Sequence, residues 1–128
     1  MMNRSLRYTK EHVWVEILER DLVQIGITPF AKQQLGEIIC AEWPQEGDEV
    51  KRNQSIGTIE SAKTVVDLYS PIDGRVVQIN PGLHDDLSLI NLFPLCKGWI
   101  AVLKVKNIQQ LESLLTEEDY QAWICEEE

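Results

Sequence analysis

Gly57-Thr58-Ile59-Glu60-Ser61-Ala62-Lys63-Thr64-Val65-Val66-Asp67-Leu68-Tyr69-Ser70-Pro71-Ile72-Asp73-Gly74 is the stretch on which the reading of this chain turns. Two runs rich in Val, Ile, Leu and Tyr flank a connection around Ser61 to Thr64, and Ser70-Pro71-Ile72-Asp73-Gly74 supplies a turn. The pattern predicts a β-hairpin with Lys63 at its tip. The connection holds neither Gly nor Asn, the residues that tight turns recruit for positive φ, which suggests that its residues answer to a second requirement. A lysine on a protruding turn presents its amine to a modifying enzyme, and small Ser61 and Ala62 leave the approach open. An arbitrary turn lysine is simply solvated, so the surroundings must carry any further claim.

Upstream, His12 to Leu18 and Leu22 to Ile27 read as a second hairpin across Glu19-Arg20-Asp21. Thr28 followed by Pro29 is an N-cap and a first-turn proline, and Gly36 after Leu35 is a helix stop, so one short helix interrupts the strands. Further strands are expected at Glu37 to Trp43, Ser55 to Glu60, Thr64 to Tyr69, Gly74 to Ile79 and Trp99 to Val105, with a turn at Glu46-Gly47-Asp48. Short strands at this spacing favour a sandwich or barrel. Asn107 can cap a helix over Ile108 to Leu115, and Thr116-Glu117-Glu118-Asp119 resembles a capping box for a last helix. Leu111, Leu114, Leu115, Tyr120, Trp123 and Ile124 would face the core, and Glu126-Glu127-Glu128 would fray. Trp14 and Trp99, each in an apolar run, are expected to be structural.

Composition limits what such a chain does. Its 128 residues suffice for one core, so a single domain over 1–128 is expected. Twelve Lys and Arg against twenty-one Asp and Glu give a net charge of -9, which disfavours nucleic acid and anionic membranes. Cys40, Cys96 and Cys125 are odd in number and widely spaced, which suggests neither a disulfide framework nor a zinc site; Cys96 is expected to be a buried, inert thiol. The start of the chain lacks an apolar signal core and no run reaches the ~20 residues of a membrane span, so a cytoplasmic location is the expectation. His84-Asp85-Asp86 reads as a loop or helix start, since three adjacent ligands cannot converge on one ion. His12 is expected to pack beside Trp14. No nucleophile and base constellation has supporting context, so no catalytic residue is assigned.

Glu60-Ser61-Ala62-Lys63, followed by Asp67-Leu68-Tyr69-Ser70-Pro71 and Gly74, resembles the lipoylation segment of glycine cleavage system H proteins. The likeness extends to Tyr8-Thr9 with His12 and Trp14, to Val23-Gln24-Ile25-Gly26-Ile27-Thr28, to Gln34-Leu35-Gly36-Glu37-Ile38, to Pro44 with Gly47-Asp48-Glu49-Val50, to a loop at Leu89-Ile90-Asn91 and to Gly98-Trp99. It implies a mainly β barrel-sandwich hybrid of the lipoyl and biotinyl type, with short helices including C-terminal ones. Biotin carriers place their lysine between two methionines, whereas Ala62 and Thr64 flank Lys63, so lipoic acid is the implied cofactor. The resemblance implies a non-catalytic carrier that shuttles an aminomethyl group on a lipoyl arm at Lys63, with Glu60 and Asp67 available for recognition or arm contacts. The implied partners are a pyridoxal-phosphate glycine decarboxylase, a folate-dependent aminomethyltransferase, dihydrolipoyl dehydrogenase, and a lipoate ligase or octanoyl transferase. Two departures stand out: Val13 where the family's opening motif reads His-Glu-Trp, and apolar Leu92-Phe93-Pro94-Leu95-Cys96-Lys97 in place of an acidic pattern. They leave open a carrier used for lipoate relay or another redox partner. An unmodified interaction module is a third reading, against which the intact Glu60-Ser61-Ala62-Lys63 argues.

Overall fold

A computed structural model describes residues 4–127. Its strands are β1 (Leu6–Tyr8), β2 (Val13–Glu19), β3 (Leu22–Ile27), β4 (Ile38–Glu42), β5 (Glu49–Val50), β6 (Ser55–Ser61), β7 (Val65–Tyr69), β8 (Gly74–Ile79) and β9 (Ala101–Val105). The helices are α1 (Pro29–Leu35), α2 (Gly82–Asp85), α3 (Ser88–Leu92), α4 (Gln109–Glu112) and α5 (Glu117–Glu127). One sheet runs β1-β2-β3-β9-β8-β5 and the other β4-β6-β7, with every pairing antiparallel. The architecture is the mainly β barrel-sandwich expected, with short helices at the C-terminal end.

Period-two alternation decides what each strand buries. Val13 and Val15 on β2 point into the apolar cluster shared by both sheets, with Ile25, Ile59, Leu68 and Leu103. Trp14, between them, points out of the large sheet and is covered by Tyr8 and by Tyr120 of α5. Its indole N–H donates to the Pro94 carbonyl at 2.8 Å, so this ring is wholly enclosed without an orphaned donor. Gly26 is the cross-strand partner of Trp14, and a Cβ there would stand 2.7 Å from the indole. Only glycine lets the ring lie flat over β3.

The caps follow the sequence closely. Thr28 Oγ1 accepts from the Ala31 N–H at 3.2 Å, Pro29 opens α1, and Gly36 (φ 83°) closes it by donating to the Lys32 carbonyl. Asn107 Oδ1 accepts from the Gln109 N–H and Thr116 Oγ1 from the Asp119 N–H, each at 3.1 Å. The helix after Asn107 is shorter than expected, ending at Glu112, while α5 continues to Glu127 where a frayed tail was expected. Leu89-Ile90-Asn91 lies in α3 and is not a loop. There the Asn91 side chain accepts from the Ile38 N–H and donates to the Ile38 carbonyl, tying α3 to β4. Strands β1 and β5 were not read from the sequence; each is three residues or fewer, below the length at which alternation registers.

Trp99 lies outside a strand, two residues before β9, and is half-buried against the Trp14 cluster. Cys96 is exposed, contrary to the expected buried thiol, because it sits in the turn between Pro94 and Gly98; Cys40 and Cys125 are exposed too. No described helix is long and apolar enough to cross a membrane.

Candidate functional site

Lys63 stands exposed at the tip of the β6–β7 hairpin, whose register runs Ser55 opposite Tyr69, Thr58 opposite Asp67 and Glu60 opposite Val65. The Ser61 N–H donates to the Thr64 carbonyl at 2.9 Å. Ser61 Oγ accepts from the N–H groups of Lys63 at 3.2 Å and Thr64 at 3.3 Å. Ser61 is only 4% exposed, so it is a structural part of the turn and not merely a small neighbour. Among the described residues the only non-glycines with positive φ are His12 and Asn53. The hairpin thus needs no glycine, because a serine side chain closes it. The lack of Gly and Asn has this local cause and does not by itself point to modification.

Below the tip lies the end of α1. Gly36 takes a positive φ of 83° that favours glycine, and a Cβ there would stand 3.4 Å from Lys63 Cε, an ordinary contact that places the lysine stem beside the helix end.

Among the described residues strand β7 pairs only with β6, and its other edge borders a cleft of about 770 Å³. Thr64, next to Lys63, lies on the cleft wall, so the space begins beside the hairpin tip. Val13, Ile27, Phe30 and Val66 give the cleft an apolar lining, and two acidic residues join it, Glu11 from the turn before β2 and Asp67 from β7. Asp67 accepts from Ser55 Oγ at 2.9 Å and from the Tyr69 hydroxyl at 3.3 Å. The Asp67 charge, more than any other cause, holds the Tyr69 phenol above its ordinary range, with a smaller contribution from Glu11. The two acids therefore act on the same region of the cleft.

Of the residues expected at the site, Asp67 lines the cleft, Lys63 stands at its edge next to Thr64, and Glu60 is not part of the lining. Glu60 lies opposite Cys40 on one side and Val65 on the other, forming an exposed row on the three-stranded sheet. Val13 is 1% exposed and lines the cleft without an acceptor. Glu11 was not picked out from the sequence. No period-two count reaches it, because it lies outside β2 and the left-handed His12 stands between it and Val13. His12 packs against the Phe30 ring at 5.1 Å and bonds the Tyr120 hydroxyl, and not beside Trp14 as expected. Its φ of 67° breaks the strand periodicity that would have stacked it on Trp14. His84 and Asp85 lie in α2, and the Asp86 carboxylate accepts from Ser88 N–H and Oγ at the start of α3. Those bonds hold the Asp86 carboxyl below the usual carboxylate range and commit it to a local structural role.

Chemically, the site offers one accessible primary amine beside an apolar cleft with two carboxylates. That suits an amide-linked aliphatic arm with a cationic end: the chain covers the apolar lining and the acids meet the charge. No polypeptide nucleophile is needed for such work.

The family model for the glycine cleavage H-protein matches residues 6–127. The glycine cleavage system H protein of Geobacillus kaustophilus is 45% identical over 123 residues, covering 96% of each chain. That of Bacillus licheniformis is 42% identical over 124 residues, 97% of each. A crystal structure of a glycine cleavage system H protein from Mycobacterium marinum superposes with a TM-score of 0.87 at 30% identity, covering 97% of this chain and 99% of the other. With family match, relatives and fold in agreement over nearly the whole length, this chain belongs to the glycine cleavage H-protein family, carriers and not enzymes.

Proposed function

We propose that Lys63 is the point at which lipoic acid is joined through an amide, and that this chain carries the aminomethyl group of glycine cleavage between its partner enzymes. The observation that carries the reading is the exposed Lys63 on a hairpin held by buried Ser61, directly beside an apolar cleft with Glu11 and Asp67. When attached, the dithiolane supplies the sulfur to which the aminomethyl group is joined. The protein supplies the rest. A tether on a short hairpin keeps the sulfur at high local concentration for each docked enzyme. Glu11 and Asp67 are placed to meet a cationic cargo, and the apolar lining to keep water from it. The partners of this reading are a pyridoxal-phosphate glycine decarboxylase, a folate-dependent aminomethyltransferase, dihydrolipoyl dehydrogenase and a lipoylating enzyme.

Val13 alone would favour a relay of lipoate over glycine cleavage, since it removes a carboxylate from the opening motif. Glu11 answers that departure by bringing a carboxylate to the same cleft from two residues away, so glycine cleavage is the better supported reading. Reconstitution tests it: the fully lipoylated chain, glycine and the decarboxylase should release carbon dioxide up to the amount of lipoyl groups present. A fully lipoylated chain that the decarboxylase does not load contradicts the reading.

A further inference from the structure

The segment that presents Glu11 to the cleft is short and contains a left-handed residue. Lys10, Glu11 and His12 lie between β1 and β2, and His12 has a φ of 67°, a conformation that a histidine keeps only when its surroundings hold it. Within the segment, Thr9 Oγ1 accepts from the N–H groups of Glu11 and Val13 at 3.2 Å. The external support comes from α5. The Tyr120 hydroxyl bonds His12 Nδ1 at 2.8 Å, and Trp123 Nε1 donates to the Lys10 carbonyl at 3.2 Å. The Lys10 ammonium lies over the Trp123 ring, 4.9 Å from its centre. Both chain neighbours of Glu11 are thus held by one helix more than a hundred residues away.

The same phenol reaches the other wall. Tyr120 OH is 2.7 Å from Thr28 Oγ1, the hydroxyl that caps α1, and α1 contributes Phe30 and Leu35 to the cleft. Tyr120 is 3% exposed and its ring stacks on Tyr8 at 4.7 Å, nearly parallel at 8°. Ring stacking anchors α5, while the hydroxyl joins two cleft walls. Such separation lets the two roles be tested apart.

We propose that α5 is a clamp that positions the cleft: through Tyr120 and Trp123 it fixes the Lys10–His12 segment, and thereby aims Glu11 at the cationic cargo. Tyr120 and Trp123 are positioning residues, since neither lines the cleft. The inference rests on the cleft being the resting place of the loaded arm, as proposed above. It adds that the arm's hold on its cargo depends on the C-terminal helix.

Amide hydrogen exchange on the full, unlipoylated chain tests the clamp without the cofactor. Tyr120→Phe keeps the ring stack and removes the hydroxyl; Trp123→Phe removes the indole N–H. Each should speed exchange at Glu11, His12 and Val13 roughly three- to tenfold, the range expected for one lost hydrogen bond, while Ser61 and Thr64 keep their rates. Tyr8→Phe is the control and should leave the Glu11 to Val13 amides unchanged. A uniform rise across the molecule, or no local rise, overturns the clamp.

The second arm uses lipoylated protein loaded by the decarboxylase and follows release of formaldehyde and ammonia. Tyr120→Phe should shorten the loaded state's lifetime roughly threefold or more, and should add nothing in a Glu11→Gln background, because residues acting in series are not additive. Full additivity, or a Glu11→Gln variant as long-lived as wild type, overturns action through Glu11. A chain that takes no lipoyl group at Lys63 fails the earlier reading instead, and the exchange experiment still decides whether α5 holds the segment.

Discussion

Replacing Ser61 with Ala should loosen the attachment hairpin in a way that both a calorimeter and a lipoylating enzyme detect. The hydroxyl accepts two backbone N–H groups, from Lys63 at 3.2 Å and Thr64 at 3.3 Å, and Ser61 is 4% exposed. Alanine leaves those donors without their acceptor, and an unsatisfied, partly buried donor costs about 1–3 kcal/mol. The bonds are slightly long and Lys63 and Thr64 are exposed, so water takes up part of the loss and the lower half of that range is expected. At about 2.1 cal/mol/K of unfolding entropy per residue, 1–2 kcal/mol moves the midpoint of a chain this size down by roughly 4–7 °C. Differential scanning calorimetry reads that shift, with Ala62→Gly, a change at an exposed neighbour, as comparison. Lipoylation should slow, because the enzyme then meets a lysine on a disordered turn and must order it on binding. A Ser61→Ala protein with wild-type midpoint and wild-type lipoylation rate would show that the hydroxyl does not close the turn.

Two further outcomes follow from the packing and the charges. Trp14 is fully enclosed and Trp99 half-buried, so Trp14→Ala should cost about 3–5 kcal/mol and Trp99→Ala roughly half as much; equal losses in urea unfolding would contradict the packing described. Asp67→Asn should bring one tyrosine's ionisation down toward the ordinary value of about 10, because the Asp67 charge is the largest cause of the raised Tyr69 phenol. A raised phenol favours the neutral folded form, so the stability it lends is present below the unfolded value and is lost as pH rises through the folded one. Tyrosinate absorbance in an alkaline titration reads this, and identical curves for the two proteins would refute it.

What the sequence disclosed depended on how local each cause is. Thr28-Pro29 and Gly36 bounded α1 correctly because caps are decided within four residues. The Lys63 hairpin and the strand around Trp14 were legible for the same reason, whereas local signals gave only a sandwich or barrel and the family resemblance supplied the hybrid. Contacts across long stretches of chain were not. His12 was assigned to Trp14, its sequence neighbour, but its partner is Tyr120, 108 residues away. Glu11 gained meaning only when the cleft existed, since a period-two count stops at a left-handed residue. The absence of glycine from the Lys63 turn invited a functional explanation when a hydroxyl two residues back supplied a structural one. Cys96 followed the general preference of free cysteines for burial, and a turn overrode it.

The central claim is that Lys63 bears the arm, and intact mass with peptide mapping tests it most directly. Produced with a lipoate ligase and lipoate, the wild-type chain should gain one lipoyl mass, located on the Lys63 peptide. Lys63→Arg should gain none while unfolding within roughly 0.5 kcal/mol of wild type, as substitutions at exposed positions do. A lipoyl group on any other lysine, or a Lys63→Arg chain that still gains the mass, would contradict the account.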